Sequence, residues 1–149
     1  VTHPQRLLSD SALLAFRLNG QFLALADDLA APAGLTATRW QVLGAVVSEP
    51  LPVSQIARDM GITRQSVQRT ADLLAHDGLV EYLPNPAHRR AKLVTPTVEG
   101  REAMARISPG HARAAARLTD EVGAQRWETI VEGLRALSAA LDAIEDRPT

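Results

Sequence analysis

Apolar residues recur along most of this chain at the three- and four-residue spacing of helices with one wet and one dry side. Between Gln5 and Ala30 they include Leu7, Leu14, Leu18, Phe22, Leu25 and Leu29, which predicts a long first helix. Ala31-Pro32-Ala33-Gly34 stops it, because proline withholds a backbone donor and glycine accepts the conformations that end a helix. Thr36 offers its hydroxyl to the orphan amides of a second helix. That helix carries Trp40 and Leu43 to Val47 and ends at Glu49-Pro50-Leu51-Pro52. A short third helix is expected over Val53 to Met60 around Ile56 and Ala57, with Gly61 in the turn that follows. Thr63 then caps a fourth helix to about His76, whose dry side is marked by Val67, Ala71 and Leu74.

The period changes after Asp77-Gly78, a pair suited to a helix stop with glycine in the left-handed conformation. Leu79 to Leu83 and Arg90 to Thr95 alternate as strands do, separated by Pro84-Asn85-Pro86-Ala87-His88-Arg89. The loop is too long for a two-residue hairpin turn, so the pair reads as a β-wing. No other strand signal is evident. Thr97 caps a fifth helix through Met104 and Ile107, which Pro109 is expected to kink or break by removing a donor. A last helix is expected after Thr119-Asp120. Its apolar residues Trp127, Ile130, Leu134, Leu137, Leu141 and Ile144 step by threes and fours, the seam of a short coiled coil. The expected fold class is mainly α with a small β-wing (α+β): a winged helix-turn-helix at 36–96 and flanking helices at 5–30 and 97–145 within a single domain, 1–149.

Composition narrows the function. With 149 residues, 46% of them hydrophobic, the chain can bury one sizeable core. The absence of cysteine excludes disulfides, thiolate metal sites and thiol chemistry. Arg17, Asn19, Asp27 and Asp28 interrupt the most apolar early stretch, far short of the roughly 20 apolar residues of a membrane span. The given sequence shows no secretory pattern at its start, and a cytoplasmic protein is expected. There is no phosphate-cradling glycine loop, no nucleophile elbow and no metal-spaced histidine pair. His3, His76, His88 and His111 lie in different elements. An enzyme, a cofactor and a metal site are therefore not expected. The net charge of −1 hides an uneven distribution: Arg64 and Arg69 are the only charges between Thr63 and Arg69, and Arg89, Arg90 and Lys92 the only ones between Pro84 and Thr95.

This order of elements, with several local strings, resembles the MarR family of transcription regulators. The strings are Gly34-Leu35-Thr36 with Trp40 and Leu43, Val53-Ser54-Gln55-Ile56-Ala57, Gly61-Ile62-Thr63-Arg64-Gln65-Ser66-Val67, Asp77-Gly78-Leu79-Val80, and His88-Arg89-Arg90 with Thr97 and Gly100. The chain departs from the family pattern at His88, where the wing usually has aspartate, and at Pro96, where a leucine usually precedes the threonine.

The resemblance implies a homodimeric regulator of duplex DNA. With Val67, Ala71 and Leu74 facing inward, Arg64, Gln65, Gln68 and Arg69 are left on or near the outer face of the fourth helix. Arginine can pair bidentately with guanine and glutamine with adenine in the major groove. Ser54, Thr63 and Ser66 suit phosphate contacts. Arg89 and Arg90 would reach the adjacent minor groove, where narrow A·T tracts attract arginine. Lys92 would hold a phosphate, and His88 would contact one when protonated. The apolar faces carrying Leu7 and Leu14, and Trp127, Ile130, Leu134, Leu137, Leu141 and Ile144, would pair two copies across a two-fold axis, so the operator would be an inverted repeat. The family's usual mode implies a repressor released by a small aromatic molecule, for which Arg17, Trp40 and His111 are the candidate contacts. The rival reading is a winged-helix dimer used for protein interaction without DNA. Two basic stretches free of acids speak against it.

Overall fold

The computed structural model describes residues 1–146. Its elements are α1 (His3–Ala30), a 3-10 turn (Ala31–Ala33), α2 (Ala37–Ala45), β1 (Leu51–Pro52), α3 (Val53–Met60), α4 (Arg64–His76), β2 (Val80–Leu83), β3 (Leu93–Pro96), α5 (Val98–Val122) and α6 (Ala124–Glu145). They fall into two compact units, Val1–Ser108 and a second that begins at Pro109. No described helix is long and apolar enough to cross a membrane.

In the first unit the helix ends are set by local chemistry. Thr2 and Gln5 form a capping box at the start of α1, and the hydroxyls of Thr36 and Thr63 accept from the backbone amides of Arg39 and Ser66. Each such cap contributes about 1 kcal/mol. The start of α2 has a second partner that its own sequence does not signal: Asp27 on α1 accepts from the Ala37 amide at 2.7 Å. The core gathers Val42, Leu43 and Val46 of the α2 region, Ile56 of α3, Val67 and Leu74 of α4, Val94 of β3 and Ile107 of α5, all buried. Side chains of this size each contribute roughly 1.5–3 kcal/mol on burial.

The sheet has three antiparallel strands in the order β1-β3-β2, one more than expected. β1 is the addition: Leu51 and Pro52 lie opposite Val94 and Leu93. Pro96 ends the central strand opposite Val80, a position where its missing N–H is harmless. The Thr97 amide donates to the Leu79 carbonyl at 3.0 Å, so the neighbouring Val80–Pro96 pair is the one whose amides point away from each other. β1 reaches only as far as Val94 and asks nothing of Pro96.

The corner joining α4 to the wing is tightly pinned. Gly78 takes φ 77°, the Thr97 hydroxyl donates to the Gly78 carbonyl at 2.6 Å, and the Gly100 amide donates to the same hydroxyl at 3.1 Å. Gly100 is buried with the Leu79 carbonyl directly against its Cα.

The break allowed for at Pro109 and the expected start of the last helix need correction. α5 runs unbroken through Pro109: a proline costs one backbone bond there, while Ala112, Ala114, Ala115 and Ala116 strongly favour continuing the helix. The break falls at Gly123, with φ 86°, rather than after Thr119-Asp120. Thr119 lies inside α5 and donates its hydroxyl back to the Ala115 carbonyl at 2.9 Å. On α6, Ile130, Leu134, Leu137, Leu141 and Ile144 are 41 to 64% exposed and Trp127 is half-buried.

Candidate nucleic-acid interface

α4 follows α3 across the turn at Gly61, whose φ of 66° needs a residue without a Cβ. Burial of Val67, Thr70, Ala71 and Leu74 turns the opposite face of α4 to solvent. Thr63 holds the Ser66 amide with an oxygen lone pair, which leaves the hydroxyl hydrogen available to another acceptor.

The wing tip is built from two consecutive turns. Asn85 accepts from the Ala87 amide through its side chain and from the His88 amide through its carbonyl. The Ala91 amide then donates to the His88 carbonyl at 3.3 Å, which makes Arg89 and Arg90 the central residues of a four-residue turn. The backbone of His88 closes this turn, so an aspartate side chain is not required for it.

Between α4 and the wing lies a groove of about 730 Å³ lined by Val53, Ser54, Arg64, Gln65, Gln68, Asp72, Tyr82, His88, Arg90, Ala91 and Lys92. Seven residues expected from sequence thus meet in one place: Ser54, Arg64, Gln65, Gln68, His88, Arg90 and Lys92. Thr63, Ser66, Arg69 and Arg89 lie outside its lining, with Arg69 and Arg89 exposed and Ser66 half-buried. Three permanent cations face one carboxylate across the groove, a balance that favours a polyanion.

Asp72 and Tyr82 were not among the expected residues. Tyr82 donates to Asp72 Oδ1 at 2.5 Å, and Gln68 Nε2 donates to Asp72 Oδ1 at 2.9 Å and to Tyr82 Oη at 3.0 Å. The one available signal was the four-residue spacing of Gln68 and Asp72, which lets such side chains meet on a helix. Burial, then the Asp72 carboxylate, push the Tyr82 phenol well above its ordinary value. Because the folded value is raised, this group's contribution to stability is complete below the unfolded value of about 10 and is lost as pH rises through the folded one. Tyr82 is the sole tyrosine, so absorbance at 295 nm reads it directly. The expected midpoint lies above pH 10 and falls in Asp72→Asn. A midpoint near 10 in the folded wild type would remove the contact.

Arg17 is exposed on α1, Trp40 packs partly buried against the core, and His111 is exposed on α5 in the second unit. None of the three lines the groove. Leu7 and Leu14 are 53% and 59% exposed on α1.

A MarR family model matches residues 33–91, the stretch that contains α2 to α4, β1 and most of the wing. An uncharacterised protein of Mycobacterium tuberculosis is 36% identical over 143 residues, covering 96% of both chains. BadR of Rhodopseudomonas palustris, a transcriptional activatory protein, is 36% identical over 72 residues, 46% of this chain and 41% of its own. Among solved structures, the M. tuberculosis regulator MosR in complex with DNA is 26% identical with a TM-score of 0.75, covering 89% of this chain and 96% of its own. CouR of Rhodococcus jostii, bound to p-coumaroyl-CoA, is 29% identical with a TM-score of 0.62, covering 81% and 89%. The three-stranded wing, the helix-turn-helix beside it and these similarities agree: the chain belongs to the MarR family of winged helix-turn-helix transcription regulators.

Proposed function

We propose that this protein is a homodimeric regulator that reads an inverted-repeat operator in duplex DNA and represses transcription until a small molecule releases it. The observation that carries this reading is the single groove into which α3, α4 and the wing bring Ser54, Arg64, Gln65, Gln68, His88, Arg90 and Lys92. α4 enters the major groove, with Arg64, Gln65 and Gln68 nearest the bases and Arg69 beside them. Ser54, Thr63, Ser66, His88 and Lys92 hold phosphates, which fix register without reading sequence. Arg89 and Arg90, at the centre of the wing-tip turn, enter the neighbouring minor groove.

One such module buries too little surface for tight specific binding. The exposed apolar residues of α1, including Leu7 and Leu14, and the seam of α6 from Trp127 to Ile144 are each covered by a second copy. Pairing sets two recognition helices one DNA turn apart. MosR, solved with DNA, supports the DNA reading, and CouR, solved with p-coumaroyl-CoA, supports a small-molecule effector. Repression follows where the operator overlaps the promoter. BadR, a transcriptional activatory protein similar over part of the chain, marks the opposite outcome.

Hydroxyl-radical footprinting on DNA from upstream of the gene tests the whole reading. Two symmetric protected patches are expected, centred roughly 34–36 Å apart along the duplex. A single asymmetric patch would remove the dimer on an inverted repeat, and no protection would remove DNA recognition.

A further inference from the structure

Val80 and Tyr82 share one face of β2, Val80 buried and Tyr82 half-buried, while Glu81 and Leu83 are exposed. Past Leu83, where β2 ends, the hydrogen bonds of the wing tip close on the tip itself, Asn85 with Ala87 and His88, and His88 with Ala91. Among the described residues no hydrogen bond or ion pair joins the Arg89 or Arg90 side chain to another element. Where the tip stands is therefore set at the base of the wing. There the Tyr82 hydroxyl donates to Asp72 Oδ1 at 2.5 Å and accepts from Gln68 Nε2 at 3.0 Å. Among the described residues these are the side-chain hydrogen bonds that join the wing to α4. The bond to the carboxylate is of the stronger, charge-assisted kind. Gln68 keeps a second amide hydrogen and its oxygen for a base, so the tie does not compete with its reading.

We infer that Tyr82 and Asp72 are positioning residues for the wing: their bond fixes how the tip stands relative to α4, so that Arg89 reaches the minor groove while α4 occupies the major groove. The inference rests on the groove being the DNA site. The two grooves of a duplex are set apart by its own geometry, and a wing free to swing would have to be ordered at the moment of binding, at the expense of what its arginine contacts gain. A tie made before DNA arrives removes that cost. It also persists in the complex, because DNA closing over the groove makes a carboxylate without its donor more costly.

Anisotropy titrations of the full chain on DNA from upstream of the gene test this, with Arg89→Ala as the probe of the tip. Arg89 lies outside the groove lining that Tyr82 and Asp72 share, so independent effects would add. Arg89→Ala and Tyr82→Phe are each expected to weaken binding about tenfold, and the double variant also about tenfold rather than the hundredfold of independent losses. Asp72→Ala behaves as Tyr82→Phe. Asp72→Asn keeps an acceptor for the phenol, and in that background Arg89→Ala still costs about tenfold. Arg64→Ala, which reports on α4, adds in full to Tyr82→Phe. A merely structural role would instead shrink the Arg64 and Arg89 effects together. Additive Arg89 and Tyr82 effects, an Arg89 effect lost in Asp72→Asn as in Asp72→Ala, or an Arg89→Ala variant that binds as wild type would each overturn the inference while DNA recognition stands. Wild-type binding that is equal on upstream and shuffled DNA removes the DNA reading itself and this inference with it.

Discussion

Gly100→Ala is expected to lower stability by about 2–3 kcal/mol, near the upper end of overpacking costs. A Cβ at this position would overlap the Leu79 carbonyl oxygen and come within 3.1 Å of its carbon and 3.3 Å of Leu43 Cδ1. The carbonyl cannot retreat freely, since it accepts from the Thr97 amide at 3.0 Å while the Thr97 hydroxyl holds Gly78 beside it. Alanine would gain up to about 1 kcal/mol in helix propensity, which the clash outweighs. For a chain of this size the net loss corresponds to roughly 5–10 °C in Tm. Gly44→Ala is the matched control. Its Cβ would meet only Met104 Cε at an ordinary 3.7 Å, so stability is expected to hold or rise. Thermal denaturation of both variants checks the pair, and equal behaviour would mean that the corner between α4 and the wing is looser than described.

The second large effect separates base reading from phosphate holding. Both Arg64 and Lys92 line the groove, one at the start of α4 and the other between the wing-tip turn and β3. If Arg64 pairs with a guanine edge, Arg64→Ala costs about 1–3 kcal/mol on the operator and relaxes preference at one position. Lys92→Ala removes a phosphate contact, so it weakens binding to all sequences alike and flattens the dependence of log affinity on log salt by about one unit. Anisotropy titrations on operator and shuffled duplexes at several salt concentrations distinguish them. Identical profiles for the two variants would dissolve the division of labour between helix and wing.

Most of the helical frame was legible in the sequence because each helix carries its own signals. Thr36, Thr63 and Gly61 act on their immediate neighbours, and the Val67, Ala71, Leu74 stripe declares which face of α4 is dry. β1 was not legible. Two residues cannot show alternation, one of them is proline, and only pairing with β3, some forty residues later, makes Leu51 and Pro52 a strand. Pro109 does not end α5, because the effect of one missing donor is local and its alanine-rich surroundings keep the helix going. Gly123, followed by nothing unusual, gave no warning that it would take the break from Thr119-Asp120.

The groove divides in the same way. The cations were legible as two acid-free stretches, one on α4 and one on the wing. Asp72 and Tyr82 were not, because an acid in mid-helix and a tyrosine in a strand acquire meaning only when the wing folds against the helix. Thr97 was legible as the cap of α5, whereas Gly100 stood out only as part of a family pattern. The carbonyl pressed against the Gly100 Cα and the bond from the Thr97 hydroxyl to Gly78 exist only in the folded chain.

The central claim is that the groove between α4 and the wing recognises a particular DNA sequence. The most direct measurement is an anisotropy titration of the wild-type protein against DNA from upstream of its own gene, beside a shuffled duplex of the same composition, across a range of salt. The account predicts that the native sequence binds at least about a thousandfold more tightly than the shuffled one near physiological salt, with affinity falling steeply as salt rises. Weak binding that is equal on both duplexes would contradict it, and would leave the winged-helix fold as a surface for protein partners.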